Sequence, residues 1–136
     1  MKYIFAFQLF LFFGTLFFSN NTFAQAARSP ISLKKPSTED IYYRGTEVFF
    51  GKKYEVAILY FDRVLTMEEE FYARAYNKRG QCNYMLKKYG AAKLDFDKAI
   101  ENAPRFAEAY NNRGKVLLFG FDENEAALSD FRRGME

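Results

Sequence analysis

The chain has 136 residues, a formal net charge of +3, no histidine and one cysteine. Without histidine, imidazole acid–base catalysis and the usual zinc ligand sets are excluded, and a single cysteine rules out an intrachain disulfide. The small positive excess is dispersed among acids, as in Asp95-Phe96-Asp97-Lys98, so nucleic acid is not an expected partner.

The amino-terminal residues read as an address. Lys2 is followed by an apolar run from Tyr3 to Phe18, and then by a polar stretch rich in small residues that contains Thr22, Ala24 and Ala26. This order of charge, apolar core and small residues predicts a secretory signal peptide over residues 1–24, with cleavage after Ala24 or after Ala26. The run is short beside the roughly 20 apolar residues of a bilayer span, so membrane contact is expected only through this transient leader. A periplasmic or secreted destination follows. Residues 25–37 carry Arg28, Pro30, Lys34, Lys35 and Pro36 with no apolar periodicity, and read as a flexible linker.

Order is expected from Ser37, where Asp40 three residues on completes a capping box. Ile41, Gly45, Val48 and Phe49 then recur at helical spacing up to Gly51. A second helix is predicted over residues 54–65, with Ala57, Ile58, Phe61, Val64 and Leu65 inward. Further helices pair as 73–86 with 89–101, and as 104–118 with 124–135. Pro104 is placed in the first turn of its helix and Asp122 at the cap of the last. No strand signal rises above noise.

The helical pairs repeat. Ala75-Tyr76-Asn77-Lys78-Arg79-Gly80 returns 34 residues later as Ala109-Tyr110-Asn111-Asn112-Arg113-Gly114. Tyr89 to Phe96 is answered by Asn124 to Phe131, and both echo Tyr54 to Phe61. These residues resemble the tetratricopeptide repeat. Tyr76, Gly80, Ala92, Phe96, Ala99 and Pro104 hold the family's places in the second copy. Tyr110, Gly114, Ala127, Phe131 and Gly134 hold them in the third, with one extra residue in its turn. The first copy keeps Gly45, Tyr54, Ala57 and Phe61. The resemblance implies an all-α, right-handed α-solenoid of three helical hairpins: 38–72, 73–106 and 107–136. These follow the signal peptide and linker.

Repeat positions of this kind are structural, because small residues mark close helix approaches and aromatics fill between them. Arg44, Arg79 and Arg113 recur where the family more often has an apolar residue. Their stems are expected to pack and their head groups to pair with second-helix acids such as Asp95 and Asp130.

In the family the first helix of each hairpin lines a concave face, which implies a groove for a peptide or protein partner. Register places Tyr42 and Thr46 there from the first copy, and Arg74, Asn77, Lys78, Gln81 and Tyr84 from the second. Asn111, Asn112 and Lys115 come from the third. Phe49, Phe50 and Phe119 fit either this lining or packing against the adjacent helix. Amides interleaved with aromatics suit an extended backbone. A clamp on a carboxy-terminal carboxylate, used by some family members, is not expected. Of the equivalent residues only Lys78 and Asn112 would help, and Glu108 would repel.

No catalytic, metal or cofactor residues are indicated. Cys82 is expected to be a buried thiol and Glu68-Glu69-Glu70 a solvated turn. Leu128 and Phe131 have no helix after them to cover them. Continuation of the array, self-association through this third repeat, or cover by a partner is therefore expected. The sequence thus reads as an exported interaction module acting as an adaptor or assembly factor, or as the regulatory repeat region of a larger protein.

Overall fold

Ser37 opens the first helix with reciprocal hydrogen bonds. Its Oγ accepts from the Asp40 N–H at 3.1 Å, and its own N–H donates to Asp40 Oδ2 at 3.0 Å. This is the expected capping box, and it satisfies two groups that a helix start leaves without partners. The computed structural model describes residues 35–136. The leader expected over 1–24, with its cleavage sites, and most of the linker expected over 25–37 lie outside the described residues.

Six α-helices follow, with no strand among the described residues: α1 (Thr38–Phe50), α2 (Tyr54–Val64), α3 (Tyr72–Met85), α4 (Tyr89–Asn102), α5 (Ala107–Phe121) and α6 (Asn124–Arg133). Each packs on its neighbours in chain order, most closely as α1 with α2, α3 with α4 and α5 with α6. Contacts also run from α1 to α3 and from α3 to α5. None of the described helices is long and apolar enough to cross a membrane.

The turns within these pairs share one device. Lys52, Lys87 and Asp122 each adopt a left-handed backbone, at φ 60°, 58° and 58°. In each, the next residue's N–H returns to the preceding helix: Lys53 to Val48 O at 3.2 Å, Lys88 to Asn83 O at 2.8 Å and Glu123 to Leu117 O at 2.9 Å. Asp122 therefore ends α5 and does not cap α6, which starts after Glu123 without a side-chain cap. The extra residue of the third copy extends α5 to Phe121, which carries Asp122 into the left-handed site that short polar residues tolerate.

Pro104 also departs from expectation. It lies in the turn before α5, which begins only at Ala107. A proline disfavours helical backbone in its predecessor, and Ala103 is accordingly extended at φ −143°, ψ 88°. Two more residues are then needed to re-enter a helix. At the corresponding point of the first copy, which lacks the proline, Glu69–Phe71 form a single 3₁₀ turn where a plain loop was expected.

The same contact recurs along the interior. A Cβ added to Gly80 would stand 2.7 Å from Phe96 Cε1, one added to Gly114 2.7 Å from Phe131 Cε1, and one added to Gly45 3.0 Å from Phe61 Cε1. A ring from each second helix thus lies against a glycine of the first. Ala57, Ala92 and Ala127 are buried at the crossings, and Phe61 and Phe96 are fully buried, each contributing about 2–3 kcal/mol.

Two of the three repeated arginines form a ladder across the helix pairs. Arg79 on α3 grips Asp95 of α4 with Nε and Nη2, at 3.1 and 2.6 Å, and reaches back to Asp62 of α2 with Nη1 at 2.6 Å. Arg113 repeats this, binding Asp130 of α6 through Nε at 2.7 Å and Asp97 of α4 through Nη1 at 2.6 Å. Burial opposes the Arg79 charge, but hydrogen bonds to Asp95 and then Asp62 outweigh it and hold its pKa above the ordinary value. At Arg113 the Asp130 bond is the largest cause, with the same result. Tyr76 and Tyr110 cover the two guanidinium groups at 5.3 and 5.6 Å from their ring centroids. Arg44 is the exception. It is exposed and makes no ion pair among the described residues, because Tyr60 stands where the later copies have Asp95 and Asp130.

Cys82 is fully buried in a cluster with Ala57 and Phe61. Burial pushes its thiol up to about 12. In the unfolded chain a thiol ionises near ~8.5. Between those values the unfolded state releases a proton that the native state keeps, so stability is full below the lower value and falls as pH rises. Wild type is expected to lose about 1.4 kcal/mol per pH unit more steeply than Cys82→Ala over that window. Urea midpoints of the two proteins from pH 8 to 11 measure this; parallel pH profiles would contradict it.

Candidate protein-interaction surface

The helices that open each pair, α1, α3 and α5, share one face, and its side chains follow from register. Gly45, Gly80 and Gly114 point into the interior, so residues one turn further on, Phe49, Tyr84 and Leu118, stand at the edge of the shared face. Phe50, Met85 and Phe119 beside them form an exposed apolar row. Phe49 is half-buried against Phe50 and Tyr54, at 5.6 Å between centroids in each case. Of the three phenylalanines with two readings, Phe49 both packs and stands on the shared face, while Phe50 and Phe119 face solvent.

Between the helices lies a cavity of about 430 Å³. Phe49, Tyr84, Met85 and Phe96 give it an apolar side, and Gln81, Glu108, Asn111, Asn112 and Lys115 a polar one. Five of the residues placed in the groove by register meet here: Gln81, Tyr84, Asn111, Asn112 and Lys115. Tyr84 is braced by Tyr89 at 5.7 Å, and the Asn111 side chain rests on Gly134 at the end of α6. Lys115 is exposed and has no ion pair among the described residues.

The other expected groove residues are placed differently. Asn77 is 1% exposed, and its Oδ1 accepts from Asn112 Nδ2 at 3.0 Å. It supports the groove from beneath and offers no surface to a ligand, which corrects the expectation for this residue. The cause is the amide of Asn112, which closes over it from the next helix. Lys78 stands behind two lining residues, donating to Gln81 Oε1 at 3.2 Å with its ammonium 5.5 Å from the Phe49 centroid. Tyr42 packs against Phe61 and Phe71, at 5.9 and 6.0 Å between centroids. Burial raises its phenol pKa, partly countered by the nearby Arg74. The Thr46 hydroxyl is turned onto the Tyr42 carbonyl at 3.0 Å.

Arg74 instead borders a larger, more open cleft of about 810 Å³ between the turns, with Glu69, Glu70, Asn102, Pro104 and Arg105. That cleft has the greater volume but the poorer chemistry. Its charges of both signs face solvent, and it lacks the convergence of rings and amides found between α1, α3 and α5.

Sequence reasoning misses one cavity residue and the partners of another. Phe96 was read as core, and it is both core and cavity floor. Register places Glu108 in the lining, as a charge that would repel a carboxylate, but does not reveal that it accepts from Gln81 Nε2 at 2.7 Å and lies 3.9 Å from Lys78 Nζ. Thirty residues separate Glu108 from Lys78, and no local pattern announces their meeting.

Comparisons with known proteins agree with this geometry. Residues 73–106 match the family model of the tetratricopeptide repeat. The chain is 28% identical over 100 residues to heat shock protein STI1 of Saccharomyces cerevisiae, covering 73% of this chain and 17% of that protein. It therefore spans about a sixth of that relative's length. The crystal structure of MamA superposes with a TM-score of 0.67 at 25% identity, covering 77% of this chain and 60% of that one. The second such domain of Spaghetti (RPAP3), bound to the HSP90 peptide SRMEEVD, gives 0.67 at 24% identity, covering 72% and 89%. Residues 73–106 are thus identified as a tetratricopeptide repeat, set in an all-helical fold shared with solved structures of that family.

Proposed function

We propose that this chain is an exported array of three tetratricopeptide repeats that binds an extended polypeptide across α1, α3 and α5, as an adaptor or assembly factor of the cell envelope. The observation that carries this reading is the 430 Å³ cavity, where an apolar wall of Phe49, Tyr84 and Met85 faces Gln81, Asn111, Asn112 and Lys115. Rings of this kind accept side chains, while amides can both donate to and accept from a backbone. The SRMEEVD peptide on the similar RPAP3 domain supports a peptide ligand for this fold. Export rests on the leader pattern of residues 1–24 alone.

Met85 and Lys115 are both exposed, so replacing them leaves the fold intact to within about 0.5 kcal/mol each. Affinity capture from cell envelopes, with mass determination of the processed amino terminus, is the test. Met85→Ser/Lys115→Ser is expected to lose captured partners at least about tenfold relative to wild type. An identical captured set would refute the groove, and a mature protein beginning at Met1 would refute export.

A second reading, a regulatory repeat region within a larger protein, is favoured by the small share of STI1 that the chain spans.

A further inference from the structure

The face read above as a ligand groove already contains a carboxylate. Glu108 reaches from α5 to α3, where Oε1 accepts from Gln81 Nε2 at 2.7 Å and stands 3.9 Å from Lys78 Nζ. Lys78 is held in place from its other sides, donating to Gln81 Oε1 at 3.2 Å and lying over the Phe49 ring. Only 18% of the Lys78 side chain is exposed, against 50% of Glu108. The cation is thus the more buried partner, and the anion is the one that meets solvent. The Asn112 amide, which could have joined them, is spent on Asn77. Lys78, Gln81 and Asn112 each donate within the chain, and the acceptor facing Gln81 and Lys78 is a group of the kind a ligand could bring.

We propose that Glu108 determines the charge of the ligand. Its carboxylate fills an anion subsite made by Lys78 and Gln81, so the groove takes segments that are neutral or basic at this point and rejects those that bring a carboxylate. An acidic ligand could reach Lys78 only by displacing Glu108, which would leave two like charges around one ammonium. This rests on the groove reading, and it makes the acidic peptide SRMEEVD, bound by the similar RPAP3 domain, a poor ligand here.

The test uses the full chain as wild type, Glu108→Gln and Glu108→Gln/Lys78→Gln. Fluorescence anisotropy of labelled SRMEEVD at low salt reads binding, with the amidated SRMQQVN, which keeps the arginine but carries no carboxylate, as control. Glu108→Gln is expected to bind SRMEEVD at least about tenfold more tightly than wild type, the gain vanishing in the double variant and the control peptide unaffected. A gain that survives loss of Lys78, or a control peptide that gains equally, would overturn the assignment. Acetate titration, followed by NMR at the Gln81 side-chain amide, reads the subsite without any peptide. A shift in Glu108→Gln but not in wild type upholds the subsite even where neither peptide binds any variant, an outcome that removes the groove reading alone. No shift in either protein removes the subsite.

Discussion

An Arg79→Met variant is expected to lose about 3 kcal/mol of stability, a fall in melting temperature of roughly 12–24 °C for a folded unit of this size. Methionine keeps the packed stem but removes the charge, leaving the Asp95 carboxylate, 6% exposed, with only Asn83 Nδ2 at 2.9 Å. The cost is mainly that of an uncompensated buried anion, so Arg79→Met/Asp95→Asn should recover part of it. Asp62 contributes less, being 47% exposed and screened by water. Arg79→Lys should resemble methionine more than arginine, because an ammonium cannot span Asp95 and Asp62 with a planar fork. Arg44→Met is the internal control, with a change within about 0.5 kcal/mol. Circular dichroism melts of the four variants decide this, and equal losses at Arg44 and Arg79 would remove the ladder from the account. Affinity for a groove ligand should be unchanged in folded Arg79→Met, since Arg79 faces the second helices.

A Phe96→Ala variant should be worse still, losing about 3–5 kcal/mol. The ring is fully buried against Gly80 and beneath the cavity, so its removal leaves a void that Ala92 and Val116 cannot close. Phe131 holds the equivalent place at the far edge but is only half-buried, and Phe131→Ala should cost about half as much. The Gly80 contact allows a sharper check. Gly80→Ala puts a methyl 2.7 Å from the Phe96 ring and should destabilise by about 1–3 kcal/mol despite the better helix propensity of alanine. In a Phe96→Leu background the same change should become close to neutral, because the two positions share one space. Urea denaturation of the double-mutant cycle measures the coupling, and additive effects would show that the ring does not rest on that glycine.

Local chemistry accounts for much of what could be read in advance. Ser37 and Asp40 lie three residues apart, and the capping box formed as written. Gly80, Ala92, Phe96 and Ala99 repeat at fixed offsets because each makes the same contact in successive units, so a linear pattern reports a three-dimensional one. The pairing of Arg79 with Asp95 and of Arg113 with Asp130 was legible for the same reason. Boundaries were less so. Pro104 fits a first helical turn by composition, but the extended backbone it imposes on Ala103 delays α5 to Ala107. Asp122 is a plausible cap on either side of a turn, and the extra residue in the third copy decided which.

At the candidate site, register brings α1, α3 and α5 to one face but cannot tell exposure from support. Asn77 and Asn111 are equivalent in the repeat. Asn77 is closed over by Asn112 from the next helix, whereas Asn111 lines the cavity. The Glu108–Gln81–Lys78 cluster joins two copies, and contacts between units leave no mark on the spacing within one.

The ladder also bears on growth of the array. Asp62 and Asp97, each one residue past the ring of its second helix, receive the arginine of the unit that follows. The residue in that place on α6 is Arg132. A second molecule docked end-on in the same register would bring its Arg44 against a like charge, at the joint where the internal joints carry an ion pair. Identical subunits that join head to tail without closing build fibres, and a seam of that kind would set two arginines together where the internal joints pair an arginine with an aspartate.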